Sequence, residues 1–210
     1  QKALFANTTG ANNTAVGAEA LVANTTGQQN VAVGYLALDA NTTGEFNTAI
    51  GKESMTTNTT GDRNVAVGFK ALQIMNVTDG SHTFNTAVGF GAGQLTTTGT
   101  SNTFMGGNAG NANTTGASNT AIGSGAALGI TTGSNNTCIG KGAGNNQTTG
   151  GQNTFVGENA RGSAVGTEVS VVLGYNTVGQ GDYHVTIGSG AGSDRIYNNF
   201  SSNASWTRVS

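Results

Sequence analysis

The side chains able to do chemistry are few, and their spacing has to be tested before the rest of the chain is read. The 210 residues carry eight Lys and Arg, ten Asp and Glu, two His and one Cys. Thiol nucleophilic catalysis needs a cysteine activated by a nearby base, here Cys138 with His82 or His184. Cys138, however, stands where most repeats carry Ala, the place of a small buried hydrophobe. His184 stands where nine other units carry Asn. Copies meeting on a threefold axis would offer an ion several imidazoles; a solvated or hydrogen-bonded histidine is the other reading. Glycoside hydrolysis needs two carboxyl groups about 5–9.5 Å apart, a separation that same-phase acids on adjacent strands, about 4.8 Å apart, would meet. The acids are read as not stacking so. Glu19 and Glu53 have Leu36 between them, while Glu53–Lys70 and Lys141–Glu158 read as surface ion pairs. A carboxylate pair between two chains stays open. Gly51-Lys52-Glu53 and Gly140-Lys141-Gly142 both lack the Gly-x4-Gly-Lys-Ser/Thr spacing of a phosphate loop. The expectation is a non-enzymatic protein with no cofactor.

Composition narrows the class further. Gly, Thr and Asn fill 94 positions, Pro is absent, and charged residues are 9%, against about 25% in ordinary soluble domains. A hydrophobic content of 35%, mostly Ala and Val, cannot build a thick core. Low charge also argues against disorder. A net charge of −2 leaves no electrostatic footprint for nucleic acid, and no apolar run reaches the ~20 residues of a membrane span. One cysteine excludes an internal disulfide framework. Sequons at Asn7, Asn24, Asn41, Asn58, Asn76 and Asn113 would carry bulky glycans in a eukaryotic secretory pathway, so a bacterial or bacteriophage origin is expected. Gln1 in place of Met suggests a fragment or a processed product.

The few chemical groups are held by a repeat. The motif Asn-Thr/Val-Ala-Val/Ile-Gly ends at Gly17, Gly34, Gly51, Gly68, Gly89, Gly106, Gly123, Gly140 and Gly157, with weaker copies at Gly174 and Gly188. Spacing is 17 residues apart from one interval of 21 and one of 14. Such a period means a solenoid or stacked array. Thr-Ala-Val-Gly reads as a short strand. Asn-Thr-Thr-Gly reads as a turn whose Gly takes positive φ, and the two residues after it read as a freely varying solvent-facing corner. Ala-Glu-Ala-Leu and its equivalents are too short and too Gly-rich in later units to be a helix. We therefore expect an all-β, parallel β-solenoid or β-roll of about eleven 17-residue coils, with a shaft over 1–192 and a cap or junction over 193–210. The four residues added between Gly68 and Gly89 should bulge out and leave the solenoid unbroken.

The strand motif also predicts association. Ala15 and Val16 point to opposite faces, both apolar, as do Ala32/Val33, Ala49/Ile50, Ala66/Val67, Ala87/Val88 and Ala121/Ile122. One face can line the coil; the other needs a partner, so homo-oligomerisation is expected. Tyr35, Phe69 and Phe90, with Lys52 interleaved, follow the motif Gly and read either as packing under a neighbouring chain or as a carbohydrate platform. Abundant Thr raises an ice-binding array, against which stand the Thr pairs at corners and the interruptions at Phe46 and Arg63.

Over residues 7–192 these units resemble the repeats of bacteriophage tail fibres and tailspikes and, more loosely, the heads of trimeric autotransporter adhesins. The resemblance implies a homotrimer on the virion tail, outside the cell and facing the host. It implies binding to a bacterial surface receptor, a glycan or outer-membrane component, without membrane insertion. A polysaccharide-degrading tailspike is the enzymatic outlier of that family. The stretch from Ser193 to Ser210 resembles the segment before a self-cleaving intramolecular chaperone domain, which implies Ser210 as the processing junction. Arg195, Tyr197, Asn198, Phe200, Trp206 and Arg208 gather aromatic faces and polar donors there, and read either as a receptor site or as a terminal cap.

Overall fold

The computed structural model describes residues 2–190, 195–199 and 207–209. Eleven short strands follow one another along the chain: β1 (Thr14–Val16), β2 (Val31–Val33), β3 (Thr48–Ile50), β4 (Val65–Val67), β5 (Thr86–Val88), β6 (Thr103–Met105), β7 (Thr120–Ile122), β8 (Thr137–Ile139), β9 (Thr154–Val156), β10 (Val171–Leu173) and β11 (His184–Gly188). Each pairs in parallel with the next, so the repeat is a parallel β-solenoid of about ten turns bounded by eleven strands. At about 4.8 Å per turn this part is roughly 50 Å long. The 21-residue interval leaves pairing intact, with Val65 opposite Thr86, while Thr78 to Ser81, four residues, stand exposed. The insertion is a bulge, as expected. The parallel ladder ends at β11, which pairs antiparallel with β12 (Arg195–Asn199); β13 (Thr207–Val209) continues that meander.

Side-chain ladders lock one turn to the next. Asn47 donates its backbone N–H to the side-chain oxygen of Asn30 (2.9 Å) and its amide nitrogen to the Gly61 carbonyl (2.8 Å), tying strand to turn. Within the turns Asn41 donates to Asn24 (2.8 Å) and to the Gly44 carbonyl (3.0 Å). Thr25, Thr26 and Gly27 all donate backbone N–H groups to the Thr42 carbonyl, and the Thr25 hydroxyl joins them. Where an apolar residue interrupts the turn ladder, as Met75 does after Asn58 and Ile130 after Asn113, the preceding Asn oxygen is left without a partner. Asn24, Asn41, Asn58 and Asn113 are fully buried, so a glycan on them is incompatible with this stack.

Two kinds of glycine do different work, and here the structure corrects the sequence reading. The motif glycines from Gly17 to Gly174 have φ between +122° and +137°. The glycines of Asn-Thr-Thr-Gly do not lie in the positive-φ region. Space is what demands them: a Cβ on Gly27 would sit 2.4 Å from the Gly44 carbonyl oxygen one turn away. Positive φ instead falls on variable positions. Each regular turn holds left-handed residues at the corner (Gln29, Phe46, Arg63) and at two places after the motif Gly (Glu19 and Leu21, Leu36 and Leu38). L side chains pay about 1–2 kcal/mol in that conformation, which explains why later turns carry Gly91, Gly93, Gly110, Gly125, Gly142 and Gly144 there. It also explains why Ala-Glu-Ala-Leu is not helical: alternate residues are left-handed.

Candidate functional site

The strand sends alternate side chains inward and outward. In β3, Ala49 is fully buried and Asn47 nearly so, while Phe46, Thr48 and Ile50 face out. Repeated along the solenoid, this places Val16, Val33, Ile50, Val67, Val88, Met105, Ile122, Ile139, Val156, Leu173 and Ile187 in one outward row. Its members reach 58% exposure at Val16, and 39% at Ile122 and Ile139. Beside it runs a partly exposed row in which Thr103, Thr120, Thr137 and Thr154 are consecutive.

Two further rows flank it; both are aromatic around β2–β5, and each carries one more exposed aromatic near β10–β11, Tyr175 after the motif Gly and Tyr183 at the corner. On the side after the motif Gly, Phe69 and Phe90 stack (5.3 Å between centroids), and Lys52 lies 5.8 Å from the Tyr35 ring and 5.9 Å from Phe69. The interleaving expected of Tyr35, Lys52, Phe69 and Phe90 is thus present. On the corner side sits a row that sequence reasoning missed. The Arg63 guanidinium lies 5.0 Å from the Phe46 ring and 5.9 Å from Phe84. The signal was available, since Phe46 and Arg63 are 17 residues apart, but the insertion displaces Phe84 from that spacing and hides the third member.

The corners are also less free than expected. Asp62 accepts the Glu45 backbone N–H (2.7 Å), Ser134 accepts that of Ala117 (3.0 Å), and Asp182 accepts that of Glu168 (2.9 Å). Glu45 and Asp62 therefore share a phase one turn apart, which corrects the reading that no acids stack in this way. Asp62 is committed to structure: its other oxygen meets His82 (3.1 Å) and approaches Arg63 (3.9 Å). Glu53–Lys70 (3.6 Å) and Lys141–Glu158 (3.3 Å) are the ion pairs the spacing implied. Asp39 is half-buried, and burial raises its carboxyl above the usual range. Beside the corners of the late turns, Thr132, Ser134, Thr149, Gln152 and Glu168 line a shallow polar groove of about 260 Å³.

Cys138 is fully buried in the Ala row, and burial pushes its thiol up to about 12, far from a reactive thiolate. His184 points Nδ1 at the Asp182 carbonyl (2.7 Å) and stands 6.1 Å from the Tyr197 ring. In β12, Tyr197 opposes Thr186, which is fully buried, and is itself partly exposed. Asn198 is 5% exposed. Arg195 opposes Gly188, and Arg208 in β13 opposes Ile196. Phe200, Trp206 and Ser210 lie outside the described residues. The antiparallel β12 covers the strand edge left by β11, which is the geometry of a cap.

Among the described residues no helix is long and apolar enough to cross a membrane. Fold and surface together define a parallel β-solenoid repeat protein. Comparison of the chain with protein-family models, with curated proteins and with solved structures finds no match.

Proposed function

We propose that this chain is the shaft of an extracellular homotrimeric attachment fibre, of the kind found in phage tail fibres and tailspikes, and that it holds a host-receptor-binding surface away from the particle. One observation carries the reading: an uninterrupted outward row of Val, Ile, Leu and Met runs the length of the solenoid on a parallel sheet. Water is a poor neighbour for such a row, and association around it buries every member at once. The ladders make each chain stiff, and closing several chains on one another leaves few loops for a protease. The receptor is a bacterial surface glycan or outer-membrane component. Incubating labelled protein with intact bacteria, with soluble surface glycan as competitor, tests the attachment role. Saturable, competable binding by the oligomer supports it; no binding to any strain removes it.

The outward Thr row of β6–β9, regularly spaced beside an aliphatic row, favours one second reading, an ice-binding face. It is separated by thermal hysteresis: a freezing-point gap at micromolar protein supports ice, and none leaves the attachment fibre.

A further inference from the structure

An outward row with one side chain per turn has a weakness as an interface. Two such rows mesh as well after sliding by one turn, because ten of the eleven side chains find equivalent partners again. Only an array of the same pitch, about 4.8 Å, can mesh with it along its length, and another copy of this chain has that pitch. The face measures about 50 by 15 Å, on the order of the ~800 Å² per partner of a stable interface. The aliphatic row therefore specifies that copies associate without specifying at what height.

The flanking rows supply what is missing. In a parallel cyclic assembly closed on the aliphatic row, the corner row of one copy meets the post-glycine row of the next. At equal height this opposes Phe46 to Lys52, Arg63 to Phe69 and Phe84 to Phe90: two cation–aromatic pairs and one aromatic pair. Sliding one turn one way sets Arg63 against Lys52, like against like; sliding the other way keeps an aromatic pair (Phe46 with Phe69) and a cation–aromatic pair (Arg63 with Phe90) but sets Phe84 against Gly107 and so loses one cation–aromatic pair. Around β6–β9 the same rows hold Ser101, Ser118, Asn135 and Gln152 opposite Gly107, Ser124, Lys141 and Glu158, which discriminate far less. We infer that the aromatic and cationic rows bordering β2–β5 fix the axial register between copies of this chain. The inference rests on the self-association proposed above.

Disulfide mapping reads register directly. Chains carrying Ile122→Cys and chains carrying Ile139→Cys are co-expressed and oxidised. Copies in register give 122–122 and 139–139 links, and copies slipped by one turn give 122–139 links. With the native rows the mixed link should be rare. With Arg63→Glu it should rise several-fold while the oligomer mass holds. Adding Phe69→Lys together with Lys52→Gln should restore register, because the introduced carboxylate of one copy then meets an ammonium of the next only at equal height. Arg63 and Phe69 flank the sheet on opposite sides, so a rescue reports contact between chains. Unchanged mixed links in an intact Arg63→Glu oligomer would overturn the register inference alone. A native protein that runs as a monomer would overturn it together with self-association.

Discussion

The turns around β2–β4 and those around β6–β9 share one backbone and fill it differently. In the early turns the strand offers Ala (Ala32, Ala49, Ala66) and the left-handed position after the glycine carries a large buried side chain: Leu38, Met55, Leu72. In the later turns bulk moves to the strand, as Phe104 and Phe155, and the left-handed position shrinks to Gly110 and Gly144. A Cβ on Gly110 would lie 2.4 Å from the Phe104 ring, and one on Gly144 would lie 2.9 Å from Phe155 and 2.5 Å from the Cys138 sulfur. At Phe104 the strand thus trades volume with the left-handed position, its ring filling the space beside Gly110 of its own turn and Gly93 of the turn before. Moving bulk to the strand also relieves strain, because Gly rather than Leu then takes the left-handed conformation. The outer surface divides near the same place, from aromatic and charged rows to Ser, Asn and Gln.

The largest expected effect ignores this division. A Cβ on Gly51 or Gly123 meets the next glycine's carbonyl carbon at 2.6 Å with φ at +135° or +130°. Gly51→Ala and Gly123→Ala should therefore each cost ~4 kcal/mol or more, from backbone strain plus overpacking that cannot relax. Urea unfolding that finds either variant near wild type would break the claim of one shared backbone.

Next comes the volume exchange itself. Gly110→Leu alone should destabilise by ~3 kcal/mol through overpacking and left-handed strain. Phe104→Ala with Gly110→Leu recreates the Ala66/Leu72 pattern and should recover most of that loss. Strict additivity of the two changes in thermal unfolding would contradict the trade.

The turn ladder gives a smaller contrast. Asn41→Ala strips partners from Asn24, Asn58 and Gly44 and should cost ~2–3 kcal/mol. Asn113→Ala should cost less, since the Asn113 oxygen already lacks a partner next to Ile130. Equal costs would mean that the ladder contributes nothing beyond each local turn.

The smallest effect is electrostatic. Burial raises the folded pKa of Asp39, so the folded state holds the proton more tightly than the unfolded one. Stability should fall as pH rises from near 4 through the raised pKa. Asp39→Asn should remove that loss and lift the melting temperature at pH 7. An unchanged pH profile would show that Asp39 is solvated.

Much of this fold was legible from spacing alone: the period, the strands, the inward Ala row, the Cys138 environment and the bulge after Gly68. What stayed hidden depends on conformation rather than pattern. The corner residues Gln29, Phe46 and Arg63 look free because many residue types occur there, yet they are left-handed and their neighbours satisfy backbone donors one turn away. The turn glycines invited a φ argument because Gly so often serves that need; close approach of stacked backbones is invisible in one dimension. Of the candidate site, the Tyr35–Phe90 row was readable and the Phe46–Arg63–Phe84 row was not, since four inserted residues break its count. Tyr197 and Asn198 read as part of an aromatic and amide-rich segment, and what one dimension could not show is that they lie on a strand pairing antiparallel with β11.

Light scattering of the intact protein addresses the outward row most directly. A chain of 20.8 kDa that closes on that row as a trimer should elute at about 62 kDa. Replacing Ile122 and Ile139 with Lys should reduce the mass to that of one chain, with the β-sheet circular dichroism retained, because both side chains face out. A native protein that runs at 20.8 kDa at every concentration, or a double variant whose mass does not change, would contradict the account.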